Sequence, residues 1–295
     1  MIKFENGDDF LEDKIAIIAC SNACLDYFEN DYNIKIFRST LHLGDEDFLD
    51  YIDISADDFY KRLENDKTVF PSSSYYPLGK MIETYEELVK EGYNKAIVIS
   101  ISSELSGIVN ASKMAANEVE GLEVTVFDSK TLAYPEAKMA LTAGEMASKG
   151  ESVKEIIKEL EYIRDNNKIY FAVNTLTYLV KNGRLSNASG FIGNTLKIKP
   201  LLTISKDGKV ETVEKIRTFK KAVDRVLEMY FEETKGKNVE PFIVHANNEE
   251  TRDYLIEVLK KDNPELKEIA TMPLTAVVGA HSGPKTIGLG YYIKK

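Results

Sequence analysis

Hydrophobic and polar positions follow two different patterns along this chain, and the change falls just past the middle. In the first half, short apolar runs alternate with helical stripes. Lys14-Ile15-Ala16-Ile17-Ile18-Ala19 and Ala96-Ile97-Val98-Ile99-Ser100-Ile101 are isoleucine-rich runs bounded by polar residues, as expected of strands buried on both faces. Glu123 to Phe127 predicts another strand. Between these runs, Ser55-Ala56-Asp57-Asp58 starts a helix that reaches Leu63, and Pro77 occupies the first turn of a helix ending near Lys90 and Gly92, where the missing proline N–H costs nothing. A further helix is expected from about Leu105 to Glu118, and another from Glu136 to Ser148, stopped by Gly150. Ser152-Val153-Lys154-Glu155 is a capping box, and behind it Val153, Ile156, Ile157, Leu160 and Ile163 fall on one helical face. Strand–helix–strand alternation predicts a mostly parallel sheet covered by helices.

The polar break Asp165-Asn166-Asn167 marks the change. It divides the chain into an N-terminal α/β domain, 1–165, and a C-terminal α+β domain, 166–295. Lys168 to Val173 is a strand. Pro200 to Ser205, Asp207-Gly208 and Val210 to Ile216 read as an antiparallel hairpin, because Asp-Gly favours the positive-φ turn. Phe219, Ala222, Val223, Val226, Leu227 and Tyr230 line a helix. Phe242 to His245 is a strand, Tyr254, Leu255, Val258 and Leu259 line another helix, and Ile287 to Tyr292 closes the chain as a strand.

Composition narrows the function classes. The chain has 295 residues, 43% hydrophobic and 29% charged, with a formal net charge of −10. That is a globular, core-forming composition, and its acidity opposes nucleic-acid phosphates and allows at most transient membrane contact. No apolar run approaches the roughly 20 residues of a membrane helix. The acidic start, Met1 to Asp9, lacks a signal-peptide core. With Cys20 and Cys24 as the only cysteines, a disulfide framework is not expected. A cytoplasmic location is.

Four segments carry candidate chemistry. Pro71-Ser72-Ser73-Ser74 offers three hydroxyls to an anion, or is a polar turn. Ser102-Ser103-Glu104-Leu105-Ser106-Gly107 follows a buried strand and opens a helix, where free N–H groups suit a carboxylate and serine also serves as a plain cap. Asn182-Gly183-Arg184-Leu185-Ser186 places an arginine in a loop, to clamp an anion, dock an acidic partner or remain solvated. Gly279-Ala280-His281-Ser282-Gly283-Pro284-Lys285-Thr286 holds a loop histidine with a ligand role or a structural one. Its near-match to a phosphate-binding loop fails at Pro284, which stands where a cradling glycine N–H is needed. No cofactor or metal motif is present, since three histidines and two cysteines have no zinc-like spacing.

In their order and spacing these segments resemble the DegV family, the fatty-acid-binding subunits of bacterial fatty acid kinases. The resemblance runs from about Lys14 to the end, through Lys14–Ser21, Pro71–Ser74, Ser102–Gly107, Asp128-Ser129-Lys130, Gly183–Ser186, Ile198-Lys199-Pro200, Lys215–Ala222 and His281–Pro284. It implies two α/β domains with one long-chain fatty acid buried between them and its carboxylate presented to an ATP-dependent kinase subunit, so that the chain itself is not an enzyme. By the same resemblance Ser73, Ser74, Ser106, Gly107 and His281 bind the head group, and Arg184 belongs to the head-group surface or to kinase docking. Cys20 departs from a usual aspartate, Ser73 from threonine, Tyr75-Tyr76 from Gln-Pro, Ile108-Val109 from Thr-Tyr, and Lys285 from a frequent glycine, adding charge near the head group. Two alternatives stay open: a small serine hydrolase using Ser106 or Ser73 with His281, and a subunit that binds a small carbonyl compound through His281.

Overall fold

In the computed structural model, residues 13–66, 68–186 and 198–295 are described. The acidic N-terminal segment read above, Met1 to Asp9, lies outside them. The first half contains β1 (Ile15–Cys20), β2 (Ile34–Phe37), β3 (Thr40–Leu43), β4 (Glu46–Leu49), α1 (Ala56–Asn65), β5 (Ser72–Ser74), α2 (Leu78–Lys90), β6 (Lys95–Ser100), α3 (Ile108–Ala116), β7 (Glu123–Asp128), α4 (Tyr134–Ser148) and α5 (Val153–Asp165). The second contains β8 (Asn167–Ala172), α6 (Thr177–Lys181), β9 (Leu201–Ile204), β10 (Val210–Glu214), α7 (Phe219–Thr234), β11 (Val239–His245), α8 (Glu249–Asp262), β12 (Ala270–Pro273), α9 (Ala276–Ser282) and β13 (Ile287–Ile293).

The isoleucine-rich strands form the centre of a four-stranded parallel sheet, ordered β2-β1-β6-β7. Ala96 to Ile99 on β6 are fully buried, as are Ile18 and Ala19 on β1, which is why neither run shows a polar face. The helices that follow take the ends their sequences specify. Ser55 caps α1 through Asp58 N–H at 3.1 Å. Ser152 and Glu155 make both capping-box bonds, and Ile156, Leu160 and Ile163 turn inward. Pro77 caps α2 rather than lying inside its first turn.

A six-stranded sheet, β10-β9-β8-β13-β11-β12, is antiparallel except where β11 pairs with β12. It is buried on both faces. Ile169 and Phe171 of β8 face the core shared with the first half, while Tyr170 and Ala172 face a second core under α7 and α8, as the two-residue period of a strand requires. The shared core is continuous across the chain. Tyr134 of α4 packs on Phe242 of β11 with ring centroids 4.8 Å apart, and its hydroxyl donates to Glu240 at 2.6 Å. Tyr162 of α5 meets Tyr292 of β13 edge-on.

Three readings of the sequence are corrected. The stretch Pro71–Ser74 is not only a turn: Ser72–Ser74 is an edge strand in a small antiparallel sheet, β4-β3-β5, whose other strands had no prediction. α3 starts at Ile108 instead of Leu105, because Leu105 and Ser106 N–H groups turn back to the Ser102 carbonyl. The segment Ala276–Ser282 is a short helix, capped by Thr275, and not a loop. A strand follows it, the reverse of the strand–loop–helix order of a phosphate-binding loop, so that match is excluded by topology as well.

Candidate functional site

The C-terminal ends of the parallel strands carry the loops that build the site, where open α/β sheets place their ligands. After β6 the chain makes a tight loop. Ser102 N–H bonds the Thr131 carbonyl at 2.9 Å, Ser103 Oγ bonds Asp128 at 2.6 Å, and Ser106 Oγ accepts from Ile108 N–H at 3.3 Å. From the second half, α6 ends at Lys181, Gly183 turns the chain at φ +68°, and the following Arg184 N–H returns to the Leu179 carbonyl at 2.8 Å. Arg184 Nε then donates to the Leu105 carbonyl across the junction at 3.1 Å. α9 brings His281, and β5 brings Ser73 and Ser74.

These elements enclose a cavity of about 470 Å³, and Ser73, Ser74, Ser106, Gly107, Arg184 and His281 all line it. All six residues singled out in the sequence therefore meet at one place. The apolar wall comes from both halves, with Ile101, Leu105 and Leu132 from the first and Phe171, Leu179, Ile204, Val210, Val277 and Val278 from the second. Such a volume with mostly apolar walls and a few convergent polar groups is that of a small-molecule site.

The polar groups differ in their bonding. Ser73 Oγ lies 2.8 Å from His281 Nε2, while His281 Nδ1 is buried with no partner among the described residues. Burial, reinforced by the Arg184 charge, pushes the His281 pKa down to about 4, so the imidazole is neutral at ordinary pH. Ser74 Oγ instead meets His42 Nε2 at 2.7 Å. Ser106 is not paired with His281.

Tyr75 lies against Gly107, with its ring 3.3 Å from where a Cβ would stand, and lines the cavity. Tyr76 turns away and stacks on Phe37 at 4.9 Å. Lys285 is a correction. It does not line the cavity. Its ammonium bonds the Asn247 carbonyl and lies 3.3 Å from Glu64, because the backbone at Lys285 is left-handed and directs it elsewhere. Cys20 is fully buried as a free thiol. Asn22, Ser39 and Ser282 also line the cavity; Asn22 and Ser39 had no signal in the sequence, while Ser282 lies in the His281 segment but was not itself given a role. His42 had one: Thr40-Leu41-His42-Leu43 alternates as a strand does.

A family described as "Uncharacterised protein, DegV family" matches residues 14–294. The chain belongs to the DegV family. A DegV domain-containing protein of Clostridium acetobutylicum is 33% identical over 94% of this chain and 98% of its own. Among solved structures, DegV of Bacillus subtilis, a fatty acid binding protein, is 31% identical with a TM-score of 0.83, covering 95% of this chain and 99% of that one. A fatty acid binding DegV family protein of Streptococcus agalactiae is 25% identical with a TM-score of 0.86, covering 96% of this chain and all of its own. The α/β architecture is thus that of solved DegV proteins. No helix among the described residues is long and apolar enough to cross a membrane.

Proposed function

We propose that this DegV chain binds one long-chain fatty acid, with the acyl tail between the units 1–165 and 166–295, and presents the carboxylate to an ATP-dependent fatty acid kinase subunit. The observation that carries the reading is the cavity itself, with apolar walls from both halves and the Ser73–His281 pair set into it. Fatty acid binding by the Bacillus subtilis and Streptococcus agalactiae proteins supports it.

The energetics favour an acyl ligand. Each buried methylene contributes roughly 0.8 kcal/mol, so about 14 of them contribute on the order of 11 kcal/mol before ordering costs. The carboxylate needs donors, because burying it unpaired costs several kcal/mol. Ser73 and His281 supply them, together with the Gly107 N–H, which has no acceptor among the described residues; Ser74 stands beside them with its Oγ held by His42. Ser106 holds the start of α3 in place. Arg184 supports the head-group side more than a docking role, since its guanidinium is held to the Leu105 and Asn182 carbonyls on the cavity wall. Phosphorylation itself would be the work of the partner, with this chain contributing position.

Mass spectrometry under native and then denaturing conditions tests the reading. The expected result is a mass excess that is lost on denaturation and extracts as a long-chain fatty acid. Ser73→Ala and His281→Ala each remove a bond to a charged group, worth about 1.5–3 kcal/mol, and so weaken binding about 10- to 100-fold. Apo protein that refuses a panel of fatty acids would sink the proposal. With a kinase subunit and ATP added, acyl phosphate should form only when this chain is present.

A further inference from the structure

Ser74, His42 and Asp47 form a hydrogen-bonded chain that carboxylate binding does not require. Ser74 Oγ lies 2.7 Å from His42 Nε2, and His42 Nδ1 lies 2.6 Å from Asp47 Oδ1. The register of the small sheet builds it. His42 stands directly opposite Asp47 across β3 and β4, and opposite Ser72 across β3 and β5, so Ser74 is its diagonal neighbour, within reach of a ring. The order of atoms is chemically specific. A carboxylate on Nδ1 holds the tautomer whose proton sits on Nδ1, and leaves the Nε2 lone pair to take the serine proton.

Ser74 is among the residues that line the apolar cavity, with its side chain on the face of β5 opposite that of Ser73, and the lining also includes Gly107, with its unpaired N–H, and Arg184. Donors of those two kinds stabilise the oxyanion formed when a carbonyl is attacked. The neighbouring serine is the internal contrast. Ser73 pairs with His281, whose Nδ1 meets no carboxylate among the described residues, so that pair lacks the group that makes an imidazole a strong base. The sheet therefore presents two adjacent serines, each on a histidine, and only Ser74 has the acid behind it.

We propose that Ser74 is a nucleophile toward long-chain acyl esters, with His42 as general base and Asp47 as its positioning residue. The proposal rests on reading the cavity as an acyl site. In the first step the Ser74 Oγ–carbonyl carbon bond forms, the Ser74 proton passes to His42 Nε2, and the carbon–oxygen bond to the alcohol breaks as His42 returns that proton to the leaving oxygen. In the second, water gives a proton to His42 and its oxygen attacks the acyl carbon. The bond to Ser74 then breaks, Ser74 recovers the proton, and the free fatty acid is left in the cavity. The product is thus the ligand of the binding reading. Asp47 is largely exposed, with 69% of its side chain accessible, so its charge is partly screened and a modest rate is expected.

A hexadecyl fluorophosphonate, followed by peptide mapping, tests the nucleophile, and p-nitrophenyl laurate tests turnover. The expected result is a single adduct on Ser74, absent in Ser74→Ala, with labelling slowed about 100-fold or more in His42→Ala. Asp47→Asn should slow labelling about tenfold, and Asp47→Glu should restore most of that loss while fatty acid affinity stays unchanged in both; a merely structural role would not give rescue by the conservative variant. An adduct on Ser73, no adduct at all, or labelling that survives His42→Ala overturns the proposal and leaves the three side chains a cross-strand polar row. Fatty acid binding is measured on the same samples. Binding without labelling removes the nucleophile and keeps the carrier. Labelling without retained fatty acid keeps the nucleophile and removes the carrier.

Discussion

His281 is half-buried and Glu136 fully buried, and they make stability respond to pH in opposite senses. The native His281 pKa of about 4, lowered chiefly by burial, lies below the unfolded value near 6.5. Between these values the unfolded chain binds a proton that the native chain does not, so stability falls as pH drops from 6.5 toward 4, by up to about 3 kcal/mol. Glu136 is completely buried, its carboxyl oxygens accept no hydrogen bond among the described residues, and burial with the nearby Asp128 charge raises it well above the usual range. Its native pKa exceeds its unfolded one, so its contribution is complete below about pH 4.5 and is lost as pH rises. Urea titrations from pH 5 to 8 check both. His281→Gln should flatten the acid side, and Glu136→Gln should gain stability over the parent as pH rises; parallel curves for all three proteins would contradict the assignments. A bound carboxylate would favour the His281 imidazolium, so fatty acid affinity should rise as pH falls from 7 to 5.5, and not in His281→Gln. Of these features, His281 could be picked out from its sequence context. The partner of its Nε2, 208 positions away, could not.

At the scale of elements, the short helix α9 is fixed at its end by Gly283. The backbone there has φ +80°, and a Cβ would come 2.5 Å from the Tyr178 ring. Gly283→Ala adds left-handed strain of roughly 1–2 kcal/mol and overpacking of about 1–3 kcal/mol. It should therefore cost about 2–5 kcal/mol in denaturant titrations, and also weaken ligand binding, since α9 carries His281. Adding Tyr178→Ala should relieve the steric part, measured as a favourable coupling in a double-mutant cycle. Legibility tracked how local each element is. β1, β6, α5 and the β9–β10 hairpin were readable because their own residues hold them: continuous apolar runs, a capping box, an Asp-Gly turn. β5 and α9 were not. Three serines have little strand propensity, and β5 exists because β3 offers it an edge. α9 has only seven residues and packs against α1, α6 and β5, which stabilise what isolated helix formation would not.

At the scale of the molecule, one core runs from β1 to β13 through α4 and α5, and polar bonds cross the junction beside it. Ser102 Oγ donates to the Gly208 carbonyl at 2.9 Å, Tyr60 Oη to the Leu274 carbonyl at 2.9 Å, and Lys138 to Glu240 at 3.1 Å. Far-ultraviolet circular dichroism and tyrosine fluorescence should therefore report the same single unfolding transition; two separated transitions would show that the halves melt independently. The sequence by itself determined the parallel and mixed halves and the families of helices between them, since burial period, caps and turns act over a few residues. It also offered the four segments that gather at the cavity, through their serines, glycines, arginine and histidine, and the resemblance to the DegV family picked the six residues out of them. Only the tertiary structure decided how they pair. Ser73 went to His281 and Ser74 to His42, Lys285 was drawn off to Glu64, and the cavity took its walls from both halves. The physical reason is that hydrogen-bond partners are set by sheet register and helix packing between segments far apart in the chain, and a one-residue change of register would exchange every one of them.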